Sequence, residues 1–217
     1  MAADPCIGLS HIYTALILLV AGVSDALYRE VEPPLWYVAS KGGFILASID
    51  AIHVKGLALE SYAALIAVSI APAAAAYILY RLCLLGGSDY LALGFIALSS
   101  PLPAASIPIP PALASLVAAA PLIALYYTWK LWYACGLACL RRGYARVKPS
   151  QAVYVGFYRW WIPRSRGGGE GCSIEDDPLE AARGKSFEAT PGIPMVSLVA
   201  AGYIAYLALA LAICWGV

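Results

Sequence analysis

Residues 9–28 read LSHIYTALILLVAGVSDALY. Twenty residues at about 1.5 Å each reach across the ~30 Å hydrocarbon core of a bilayer. The stretch carries one formal charge, Asp25, close to its end, and the polar run REVEPP (29–34) follows. It reads as a membrane-spanning helix with a carboxylate near one face of the membrane. The preceding MAADPCIG holds Asp4 and no Lys or Arg, whereas a secretory signal opens on positive charge, so the span is expected to be retained.

The composition extends that reading to the whole chain. Of 217 residues, 62% are hydrophobic and only 12% are charged, and the mean hydropathy is +0.76. Soluble domains carry roughly a quarter charged residues. The expected fold class is therefore all-α, a polytopic membrane protein. Its apolar runs are continuous rather than alternating, which disfavours a transmembrane barrel. A net charge of +1 supplies no field for nucleic acid, so the lipid membrane is the expected environment and no nucleic-acid partner is implied.

Breakers and hydrophobic periodicity divide the chain into six candidate transmembrane helices, at 9–28, 34–52, 59–81, 88–100, 112–139 and 194–215. The fourth is short for a span. Residues 1–140 thus hold five helices, 141–192 a polar and basic loop, and 193–217 the sixth helix. Positive residues favour the cytoplasmic side. With the N-terminus outside, Arg29, Arg81 and the basic group Arg141, Arg142 and Arg146 all face the cytoplasm, and the uncharged proline-rich SPLPAASIPIPP (100–111) lies outside. Within 141–192, the aromatic and arginine-rich YVGFYRWWIPRSR (154–166) suits anchoring among lipid headgroups. The GGGEGCSIEDDPLEAARGKS that follows (167–186) reads as a mobile linker. Cys135 and Cys139 fall on one helix face but lack a companion His or Cys pair, so buried unreactive thiols are expected there rather than a metal site.

Three acids lie in or at the ends of spans: Asp25, Asp50 and Asp89. An ionisable group inside a membrane is costly and marks function by default. The topology places Asp25 and Asp89 at one depth, near the cytoplasmic face. Asp50, near His53 and Lys55, falls at the outer end and is expected to be a solvated helix terminus. Two carboxylates held together share one proton, so one ionised group can activate water while the protonated one polarises a carbonyl. That chemistry needs no metal or cofactor. Asp89 closes the run Gly86-Gly87-Ser88-Asp89, where the glycines allow a tight turn and close approach of an extended peptide. Spacing predicts that Asp25 and Arg29 face each other one turn apart. Read singly, Ser88 or Asp89 is also a plausible helix cap, and Asp25 with Arg29 an interfacial ion pair.

At these residues the chain resembles the archaeal prepilin peptidases, including the preflagellin peptidases, which are membrane aspartyl proteases of the GxGD type. The resemblance rests on SDALYREVEPPLW (24–36), on LGGSDYLAL (85–93) and on TPGIPMVSLVAAGY (190–203). One departure stands out: Ser88 occupies the position of the second glycine in the pattern. The resemblance implies that Asp25 and Asp89 are the catalytic pair of an aspartic endopeptidase. It further implies substrates of the prepilin or archaellin-precursor type, cut at the cytoplasmic face between a basic n-region and an apolar segment. Gly86, Gly87, Ser88 and Arg29 are then expected beside the substrate; Glu30 and Glu32 read either as attracting its basic n-region or as a solvated turn. Bacterial relatives add a methyltransferase domain with paired CxxC motifs; none occurs here, so no methylation is expected. A presenilin-like intramembrane protease and a proton-coupled membrane transporter are the alternatives.

Overall fold

Helix α1 (Leu9–Tyr28) forms over the expected span. Its buried residues Thr14, Leu18, Ala21, Gly22 and Asp25 recur at helical spacing, so one stripe faces the protein. Leu16, Val20 and Val23 on the other side are more than half exposed, as lipid-facing residues are. A computed structural model describes residues 7–28, 31–81, 87–104, 107–147, 153–154, 158–159, 161–163 and 187–216.

Helix α2 (Pro33–Ile49) opens on two prolines, where the missing amide hydrogens cost nothing, and runs on into a π-helical turn at Asp50–Val54. Then come α3 (Leu59–Arg81), α4 (Gly87–Ser99) and α5 (Pro111–Cys135). A short α6 (Leu137–Arg142) precedes the strands, and α7 (Met195–Trp215) follows them. Four of these helices, α1, α3, α5 and α7, are long and apolar enough to cross a membrane. α2 and α4, expected as spans, fall outside that group. With 13 residues, α4 is about 20 Å long, well short of the hydrocarbon core.

The short helix is the inner one. Ala92, Leu93, Phe95, Ile96 and Ala97 of α4 are buried, with α2 and α3 packed along it. Trp36 of α2 is buried against Phe95, the ring centroids 5.7 Å apart. Glycines set the closest approaches: a side chain at Gly43 would meet Ser99, and one at Gly202 would meet the Ser115 carbonyl on α5. Small residues at such crossings let membrane helices associate through their backbones.

After α4 the backbone leaves helical geometry but stays inside. Ser100, Pro101, Leu102 and Ala104 are buried, where the sequence suggests an external loop. Non-helical backbone at such depth must find protein partners. Pro101 O accepts from Ser69 Oγ at 3.2 Å, and Ala104 N donates to the Tyr206 hydroxyl at 2.7 Å.

The chain is mostly helical, as expected, but the polar insertion is not purely loop. β1 (Ala145–Val147) and β4 (Trp161–Pro163) flank β5 (Phe187–Pro191) in an antiparallel sheet, and β2 (Val153–Tyr154) pairs with β3 (Tyr158–Arg159). Residues rich in Val, Tyr, Trp and Ile suit short strands, and the pairing of β1 with β5 closes the two ends of the insertion on each other. The glycine-rich stretch 167–186 lies outside the described residues. Cys135 and Cys139 form a disulfide, their Cα atoms 5.5 Å apart, which corrects the expectation of free thiols. Gly136 between them has φ +64°, so α5 stops where the sequence suggests an unbroken helix to 139.

Candidate active site

The site begins with Asp25, last of the buried stripe on α1 and only 8% exposed. Its carboxylate reaches α7. Asp25 Oδ2 accepts the Ser197 amide at 3.0 Å and the Ser197 hydroxyl at 3.1 Å. Gly22 O lies 2.7 Å from the same hydroxyl, so its single proton is shared between the two acceptors. Pro194 occupies the cap position of α7 and supplies no side-chain bond. The third amide of that helix is therefore capped by a carboxylate from another helix. The positive end of the α7 dipole thus lies against this carboxylate. Gly22 permits this approach: a Cβ there would stand 3.2 Å from the Ala200 methyl and 3.3 Å from Ser197 Cα.

Asp89 lies in the first turn of α4, half-buried. Ser88 Oγ donates to Val31 O at 3.1 Å, in the turn that follows α1. That bond ties the start of α4 to the end of the bundle where α1 finishes and α7 begins. Asp25 and Asp89 thus belong to the same end. Gly87 opens α4, and a Cβ there would rest 3.7 Å from the Tyr80 ring. Glu32 is exposed at the head of α2, where its side chain makes no capping bond. Arg29, Glu30 and Gly86 lie outside the described residues, and with them the Asp25–Arg29 pairing.

Asp50 departs from expectation. It is 4% exposed rather than solvated, and its Oδ2 accepts the Ser10 amide at 2.8 Å. The reason is that α2 does not end at Asp50 but passes into the π-helical turn. That turn delivers the carboxylate to the first turn of α1. Around it lies a polar web. His11 Nδ1 meets the Tyr203 hydroxyl at 2.9 Å, and that hydroxyl donates to Ser100 Oγ at 3.0 Å. Thr14 Oγ1 lies 2.7 Å from Ser10 O and 2.8 Å from Ser99 Oγ. Ser10 and Asp25 are fifteen residues apart on α1, so the two carboxylates stand roughly 22 Å apart along its axis.

Sequence reasoning missed Ser197 and this second cluster. The signal for the first was present: Pro191 and Pro194 leave α7 without a capping side chain of its own, so a partner from elsewhere is required. Compared with protein-family models, with curated proteins and with solved structures, the chain matches none.

Proposed function

We propose that the chain is a membrane aspartic endopeptidase with Asp25 and Asp89 as its catalytic pair. It acts on prepilin- or archaellin-type precursors at the cytoplasmic face of the membrane. The observation that carries this reading is the buried Asp25 carboxylate, held by the start of α7 at the end of the bundle where α4 presents Asp89. One carboxylate takes a proton from water, and the resulting hydroxide attacks the scissile carbonyl carbon. The protonated partner gives its proton to the carbonyl oxygen. Collapse of the tetrahedral intermediate breaks the C–N bond, with a proton passing to the departing amine. Acid and base are assigned to the dyad rather than to either residue.

Co-expression with a type IV prepilin-like precursor tests the proposal by the mobility shift of the cleaved product. The shift is expected with the wild-type chain and should vanish with Asp25→Asn or Asp89→Asn. Cleavage by both variants at the wild-type rate would remove the assignment.

The cluster around Asp50 supports a second reading, a proton-coupled carrier. Chains of hydrogen-bonded acids, histidines and hydroxyls serve proton relays in membranes. Among the described residues, Ser10 Oγ and His11 Nε2 are buried without a hydrogen-bond partner, a setting in which water completes a polar network. Proton uptake in proteoliposomes that Asp50→Asn abolishes, with no precursor cleavage by the wild type, would favour the carrier.

A further inference from the structure

We infer that tyrosines from α3 and α4 form a receiving site for a cationic side chain of the substrate, a lysine or arginine flanking its apolar segment. The inference rests on the protease reading above and specifies how that site grips its substrate. Tyr90 directly follows Asp89 in the first turn of α4. Its ring centroid lies 5.1 Å from that of Tyr80 and 5.3 Å from that of Tyr77, the latter pair edge to face. Tyr77 and Tyr80, one turn apart in the last turns of α3, are themselves 6.2 Å apart.

A band of interfacial tyrosines would spread around the rim of the bundle. Here three rings from two helices pack together beside a candidate catalytic aspartate. The cluster is also reachable: Tyr77 is 43% exposed, and Tyr80 and Tyr90 are half-buried. Gly87 keeps the Tyr80 ring uncrowded from below. Ring faces carry negative potential, and several around one point attract an ammonium or guanidinium group. The chain already uses this contact once. Lys130, 7% exposed, sits 5.8 Å from the Tyr126 centroid and 5.7 Å from the Trp129 centroid. A cation bound at the tyrosines would leave the residues after it to run past Asp89.

The test measures binding rather than cleavage, so it stands apart from the fate of the protease assignment. A dye-labelled peptide with two lysines ahead of an apolar segment is titrated with the full chain in nanodiscs and followed by anisotropy. Trimethyllysine keeps the charge and should bind comparably, whereas norleucine should bind about tenfold more weakly. Tyr77→Leu with Tyr90→Leu should weaken the lysine peptide by a similar factor and leave the norleucine peptide unchanged. Tyr77→Phe with Tyr90→Phe should retain affinity. Equal affinity for the lysine and norleucine peptides, a measurement needing no altered protein, would overturn the inference. So would a leucine variant that binds the lysine peptide as the wild type does. Tight binding with no cleavage by the wild type would instead remove the protease assignment and leave the cation site standing.

Discussion

Asp25 and Asp50 solve one problem at opposite ends of α1. Each is buried, and each accepts a backbone amide from the first turn of another helix, Asp25 from α7 and Asp50 from α1. Their surroundings differ. Asp50 holds the start of α1, whose His11 and Thr14 join Ser99, Ser100 and Tyr203 in a polar network. Ser197, which holds Asp25, lines a groove of about 270 Å³ between α1 and α7, with Leu19, Val23 and Ala26 on one side and Ala200, Ala201 and Ile204 on the other. Capping a helix accounts for burying a carboxylate, so burial alone does not select the reactive one.

The sharpest way to break this comparison is to neutralise each acid in turn. Asp25→Asn and Asp89→Asn should each lower precursor cleavage at least about a thousandfold, while Asp50→Asn should retain cleavage. Asp50→Asn should instead lower thermal stability in detergent by about 1–2 kcal/mol, since it weakens a charge-assisted cap. Loss of cleavage in Asp50→Asn with preserved folding would make the two acids equivalent and undo the distinction.

Glycine substitutions beside the caps sharpen it next. An alanine methyl at Gly8 would collide with the Asp50 carboxylate. At Gly22 it would meet atoms at 3.2 and 3.3 Å, which need yield only slightly. Gly8→Ala should therefore cost about 2–3 kcal/mol and Gly22→Ala about 1 kcal/mol, read from detergent-solubilised melting curves. Ser197→Ala removes the hydroxyl but keeps the amide on Asp25. It should cost about 1 kcal/mol and slow cleavage several-fold. Glu32→Gln is the mildest: an exposed charge at the head of α2 should change the KM for a basic precursor by about twofold, and less in high salt.

The long apolar elements were legible because length and hydrophobicity suffice for them. The limits of α1 and α3 follow from REVEPP and from Arg81, and the start of α7 from Pro194. Asp50 was misread because its neighbours His53 and Lys55 suggest water, whereas the partner that buries it, Ser10, is forty positions away. The break at Gly136 was invisible because a positive φ is a tertiary outcome that glycine merely permits. The pairing of Ala145–Val147 with Phe187–Pro191 gave no periodic signal, since strands this short carry too few residues to show alternation. At the candidate site, the two acids could be named from the sequence, but not the amide that holds Asp25.

The buried stretch after α4 bears on how the chain enters the bilayer. Pro101 and Pro103 bring no amide hydrogens, and the Ala104 amide is satisfied by Tyr206, 102 positions downstream. In a nascent chain the Ala104 amide therefore lacks this partner until α7 has been synthesised. Chains truncated before Tyr206 should accumulate as substrates for membrane quality-control proteolysis rather than as smaller stable bundles.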